Sequence, residues 1–249
     1  MATPHLNVIT KAIAKLAIEG RRGVEDLRRS LVEPARAVER ATALSAKLAE
    51  IIKDDLQGNV YFPDKHASLL PEVSGWVITP ISGLRNLQYG RNDVATLFGF
   101  MRQGQLVAGA AWFPALDSTV MVAVGEGASE SSRLRVNNRV ELKESLLLLP
   151  WATSDILAHK LLEKAEAHGL HTRKSGLLLR DVADVAGGRA DALVATRVTP
   201  LEAVLADAII REAGGFVTDM QGQPVTLATT TLVAANSKLH GKVLKALHG

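Results

Sequence analysis

The sequence predicts a layered α+β fold, and three observations lead there. Apolar residues recur at helical spacing in the first third: Leu6, Ile9, Ile13, Leu16 and Ala17 share one face, and Ala41, Leu44, Leu48, Ile51 and Ile52 repeat the pattern. The middle changes to strand-sized apolar runs separated by tight turns. The last part alternates strands with helices. Helices that flank strands in both halves must each bury a stripe against a sheet, which favours layers over a bundle or a barrel.

The elements follow in order. Gly20 and Gly23 interrupt or kink the first helix, and Pro34 stands where a second one can begin. The helical period stops near Gly58, and Pro63 to Gly75 reads as loop. Trp76-Val77-Ile78 is a buried strand expected to end at Thr79-Pro80. Ala95 to Met101 and Leu106 to Phe113 are strands joined through Gln103-Gly104-Gln105, and Ser118 to Val124 is a third, closed by Gly125-Glu126-Gly127. Such short turns make the neighbours antiparallel. Further on, Ser145 to Leu149, Ala192 to Ala195, Phe216 to Thr218 and Leu232 to Ala235 read as strands. Ile156 to Ala167, Leu177 to Val185, Pro200 to Ala213 and Leu239 to Leu247 read as helices. The expected organisation is an N-terminal α+β half, 1–142, and a C-terminal α/β half, 143–249, forming one compact unit.

A chain of 249 residues, 47% hydrophobic, can bury a substantial core. Lys and Arg number 29 against 26 Asp and Glu, a weaker imbalance than a dedicated nucleic-acid binder carries. The basic runs Arg21-Arg22, Arg28-Arg29 and Arg133 to Arg139 are separated by acids and read as solvated helix faces and loop edges. With no cysteine, disulfides, thiolate metal sites and cysteine nucleophiles are excluded. Met1 to Leu6 lacks a secretory pattern and no apolar run reaches membrane-spanning length, so a soluble cytoplasmic protein without a membrane partner is expected.

Several chemistries can be set aside. There is no Walker-type loop, nucleophile-elbow serine or H-E-x-x-H helix. Gly125-Glu126-Gly127 opens like a dinucleotide fingerprint, but Glu130 occupies the third glycine position, and a hairpin turn fits better. His168 and His171 sit on a glycine-containing turn without an acid nearby and read as surface residues.

The informative segment is Trp76-Val77-Ile78-Thr79-Pro80-Ile81-Ser82-Gly83-Leu84-Arg85-Asn86. It resembles the W-x-I-D-P-[IL]-D-G-T-x-N signature of the inositol-monophosphatase-like family. A second match, Gly188-Arg189-Ala190-Asp191 and then Ala208 to Asp219, resembles that family's G-R-x-D and its later E-A-G-G-x-V-x-D, with agreeing spacing. The hairpin ending at Gly125-Glu126-Gly127-Ala128 and Leu232-Val233-Ala234-Ala235-Asn236 extend the resemblance from about Leu6 to the C-terminus. It implies a layered α-β-α-β-α sandwich, a homodimer and a magnesium-dependent phosphatase. In such enzymes the first signature supplies two metal-bridging aspartates and a threonine that orients the attacking water. A glutamate pair upstream and the aspartate of a W-D motif complete the shell. Magnesium requires that kind of anionic oxygen set in near-octahedral geometry.

The departures fall on those positions. The two aspartates are Thr79 and Ser82, and the threonine is Leu84. The stretch His66 to Val73 holds no Glu-Glu pair, only Glu72. The W-D pair is Leu201-Glu202, and a substrate-binding glutamate of many members falls at Ala195. The resemblance with these changes implies a pseudophosphatase with no catalytic residue, no metal ligand and no cofactor. What remains is a degenerate ligand site of Thr79, Ser82, Gly83, Arg85, Asn86 and Glu202, in which the start of a helix and Arg85 hold an anion. Its partner would be a small phosphorylated ligand or another protein. The alternative is a divergent active phosphomonoesterase acting on inositol, sugar or nucleotide phosphates, with magnesium held by Glu202 and Glu72. Glu202 also completes a capping box with Thr199 ahead of Pro200 and the stripe Leu201, Val204, Leu205, Ala208 and Ile209. Asp191 and Asp219 read as turn or strand-end residues, and Arg180 with Asp181 as a surface pair.

Overall fold

The computed structural model describes residues 59–63, 67–89, 91–150 and 156–248, together with scattered helical positions between 18 and 53. The readings on Leu6 to Ala17, Gly20, Gly23, Pro34, Ala41, Ile52, Gly58 and His66 lie outside the described residues. Two compact units divide the chain, residues 1–124 and 125–249.

In the first unit, strands β1 (Val60–Tyr61), β2 (Gly75–Ser82), β3 (Ala95–Arg102), β4 (Gln105–Phe113) and β5 (Ser118–Ala123) lie side by side in sequence order. From β2 to β5 every pairing is antiparallel, as short turns require; β1 joins β2 in parallel. The side-chain period of two sends Trp76, Ile78, Phe98, Ala108, Ala110 and Trp112 to one buried cluster. Leu44 and Leu48 of the N-terminal helical face pack into that cluster, with Ile51 against it. Trp76 adds an edge-on contact with Phe100, ring centres 5.3 Å apart. At the β3–β4 turn Gln103 and Gly104 both take positive φ, 48° and 73°, the geometry that matches strand twist in a two-residue hairpin. A side chain at Gly104 would collide with the Pro71 carbonyl.

Strand β2 does not stop at Thr79-Pro80. It runs on to Ser82, with its register against β3 shifting between Thr79 and Ser82. A bulge is where a strand tolerates a proline, since no ladder N–H is needed there. The Pro80 carbonyl is used by the Thr96 hydroxyl at 2.8 Å. Helix α1 (Leu84–Gln88) follows and has 5 residues.

In the second unit the short hairpin β6 (Gly127–Glu130) and β7 (Ser132–Arg133) precedes a sheet ordered β11-β12-β10-β8-β9. Its members are β8 (Leu146–Leu148), β9 (His171–Arg173), β10 (Ala192–Thr196), β11 (Gly215–Thr218) and β12 (Thr231–Asn236). The β10–β8–β9 pairs are parallel and the β10–β12–β11 pairs antiparallel. Leu147, Leu149, Ala192, Val194, Val233 and Ala235 meet α2 (Ile156–Ala167) and α5 (His240–His248) through Leu161, Ala165, Val243 and Leu247. Helices α3 (Leu178–Ala186) and α4 (Pro200–Glu212) pack on each other and against β10, β11 and β12. The sheet thus has helices over both faces, which explains why its central strands are apolar throughout. No helix among the described residues is long and apolar enough to cross a membrane.

Candidate functional site

The first motif segment is built by β2, its bulge and α1. Thr79 is half-buried opposite Leu97, and Ser82 is buried opposite Ala95. Gly83, at φ 85°, turns the strand into the helix through a left-handed conformation that side chains resist. Leu84 packs against the sheet's apolar cluster, beside Ile81. Arg85 is exposed on the first turn of α1. Asn86 is buried: its side-chain amide donates to the Asp93 carbonyl at 2.8 Å. Its own carbonyl accepts the N–H groups of Tyr89 and Arg91. Asn86 therefore closes the loop after α1, a job of shape. With only 5 residues, α1 has little cumulative dipole to offer an anion. Glu72 ends a 3-10 turn and is exposed.

The second motif segment keeps its acids, and each is committed to the chain. Glu202, half-buried in the first turn of α4, accepts the Thr199 N–H at 3.1 Å and the Thr199 hydroxyl at 2.8 Å on Oε2. This is the reciprocal half of a capping box, and Leu201, Leu205, Ala208 and Ile209 behind it are buried as expected, with Val204 partly so. Asp191 accepts from Asn137 Nδ2 at 2.7 Å, Arg139 Nε at 2.9 Å and the Leu146 N–H at 2.7 Å. Asp219 holds the Gln221 and Gln223 N–H groups at 2.9 and 2.7 Å. Ala195 is buried in β10 opposite Leu232. His168 and His171 are exposed.

Arg180 and Asp181 are not a surface pair. Arg180 bonds Glu130 at 2.6 and 3.1 Å and Asp184 at 2.9 Å, while Asp181 is buried on the other side of α3 with the Ser175 hydroxyl at 2.7 Å. Burial pushes the Asp181 carboxyl up to about 7; Ser175 opposes the shift, Asp184 adds to it, and Arg173 and Arg180 oppose it. Residue order hid this because Glu130 lies 50 positions from Arg180. The i,i+4 spacing of Arg180 and Asp184 was the one readable signal.

A model of the inositol monophosphatase family matches residues 6–249. The chain belongs to the inositol monophosphatase family. An inositol-1-monophosphatase of Mesorhizobium japonicum is 31% identical over 258 residues, covering 97% of this chain and 95% of that protein. A putative Nus factor SuhB of Neisseria meningitidis is 30% identical, covering 69% and 68%. Among solved structures, the inositol monophosphatase of Anabaena superposes with a TM-score of 0.79 at 22% identity, covering 98% and 96%. The fold class is therefore inositol-monophosphatase-like, as the motifs implied.

Membership corrects one expectation. The inositol monophosphatase family consists of metal-dependent phosphatases, and a relative named for that activity matches nearly the whole chain, so a cofactor is indicated where the sequence alone suggested none. The donor set at the motif positions fits a metal pair poorly. Thr79 and Ser82 offer neutral oxygens, Leu84 offers hydrocarbon, and Glu202 is engaged by Thr199. Among the described residues no three of His, Asp and Glu gather in a group able to hold a metal ion.

Proposed function

We propose that this inositol monophosphatase family member binds a small phosphomonoester, an inositol, sugar or nucleotide phosphate in class, and turns it over far more slowly than a member with a full carboxylate shell. The observation that carries the reading is the fate of one motif position: Leu84 is part of the packing of the first unit. Thr79 and Ser82 beside it coordinate without neutralising charge. A divalent ion of this family supplies charge neutralisation and an activated water when bound. With hydroxyls in place of bridging acids it is held loosely, and no hydrolytic step is assigned to these side chains. The ligand set is Thr79, Ser82, Gly83 and Arg85, with Asn86 shaping the loop; Arg85 supplies the charge for the phosphate.

The test is a magnesium titration followed by thermal shift and by hydrolysis of an aryl phosphate. Loss of partners outside the ligand shell alone costs about 10–100-fold in metal affinity. Restoring the acids, Thr79→Asp with Ser82→Asp, is therefore expected to tighten apparent magnesium affinity by at least ~10-fold and to raise turnover. An identical magnesium response in both proteins, with full turnover in the unaltered chain that Glu202→Gln abolishes, overturns the proposal in favour of the active phosphomonoesterase.

The Neisseria relative named putative Nus factor SuhB supports a second reading, in which the chain works by docking on another protein. Co-purification of a stoichiometric partner that saturating inorganic phosphate does not displace is its expected signature. On family grounds we also read the protein as a cytoplasmic homodimer, which light scattering checks.

A further inference from the structure

Asp181 lies in the first turn of α3 and is 2% exposed. Its Oδ2 accepts the Ser175 hydroxyl at 2.7 Å, and the same Ser175 oxygen accepts the Leu177 N–H at 3.1 Å, so one serine ties the loop after β9 to the carboxyl and to the residue that precedes the helix. The neighbouring charges pair off without it. Arg180 places both terminal nitrogens on Glu130 and one on Asp184. Arg189 reaches the same two acids, Asp184 through Nε at 2.8 Å and Glu130 through Nη2 at 2.7 Å. Both guanidiniums bond to Glu130 and Asp184, and no hydrogen bond from either reaches Asp181. The groups facing it are Asp184 and Arg180 on its own helix and Arg173 on β9; burial outweighs all of them.

We infer that α3 carries a proton-operated latch, in which neutral Asp181 locks the helix start to the Ser175 turn and ionised Asp181 opens that turn to water. A buried carboxylate without a dedicated cation gains most by reaching solvent, and the first turn of a helix is the part that opens most cheaply. The direction follows from linkage. The group is ordinarily an acid near 3.8 and is raised to about 7 in the fold. Its stabilising contribution is therefore complete below the lower value and is lost as pH climbs through the upper one. Because α3 packs on α4, the element that carries Glu202, the latch loosens the second motif segment on the alkaline side of neutrality.

The test uses the whole protein, with amide exchange of residues 177–184 followed from about pH 5 to about pH 9 in the native chain and in Asp181→Asn. After subtraction of the intrinsic pH dependence, native protection is expected to fall with rising pH by up to about tenfold per unit until the midpoint near 7 and to level off above it, and the Asn variant to stay flat. Parallel curves overturn the inference. Carbon-13 titration of the aspartate carboxyls in the native protein gives an answer even if the variant does not fold: one buried carboxyl with a midpoint near 7 supports the latch, and all midpoints near 4 sink it.

Discussion

The two motif segments resemble their family in different ways. In the first, the backbone instructions persist around side chains that carry no acid: a bulge at Pro80, a left-handed Gly83 and a loop closed by Asn86 surround Thr79, Ser82 and Leu84. In the second, acids persist but are bound to the chain: Asp191 to Asn137, Arg139 and Leu146, Asp219 to its own turn, Glu202 to Thr199. Matching Gly, Pro, Asn and Asp therefore measures how well a scaffold is kept. Chemistry has to be judged from what each oxygen is already holding.

Substitutions can break that comparison. The largest effect is expected at Asp191→Ala, which removes the acceptor shared by the Asn137 amide, Arg139 and the N–H that opens β8. Three charge-assisted bonds lost at a buried acid, one to a half-exposed arginine, set a cost of about 3 kcal/mol in denaturant unfolding. A smaller loss, about 1–2 kcal/mol, is expected for Leu84→Thr, because Leu84 is only partly buried and its methyl groups leave an existing contact. If Leu84→Thr proves neutral, the first segment is less devoted to packing than its contacts suggest. Thr199→Ala sharpens the other side at about 1 kcal/mol, the usual worth of an N-cap. Should that variant also change magnesium response, Glu202 is freed by losing its cap, and the ligand role regains weight.

Much of the fold was legible because it rests on local pattern. Ile156 to Ala167 is helical over the very residues its period marks, and the β3–β4 hairpin follows from Gln103-Gly104. The pieces that stayed hidden, β1, β6, β7 and β9, are two to four residues long, and the last three are rich in polar side chains. Such strands exist only because a partner from elsewhere in the chain accepts them, as β8 accepts His171 to Arg173. Strand β2 outran Pro80 for a similar reason: a bulge is a property of the pair. At the candidate site, residue identity showed which motif positions carry no carboxylate. It could not reveal that Leu84 had become packing, nor that Arg189 and Glu130, 59 positions apart, would meet.

Gly104 carries a consequence for sequence change. Its amide bonds the Val73 carbonyl at 3.0 Å while its bare α-carbon lies against Pro71. The hairpin tip thus props the turn that leads into β2, and even a methyl group there would lever the two apart. Position 104 is a place where drift has no neighbouring step to take, whereas Gln103 beside it, exposed and pointing outward, is free to vary among residues that accept its backbone angle.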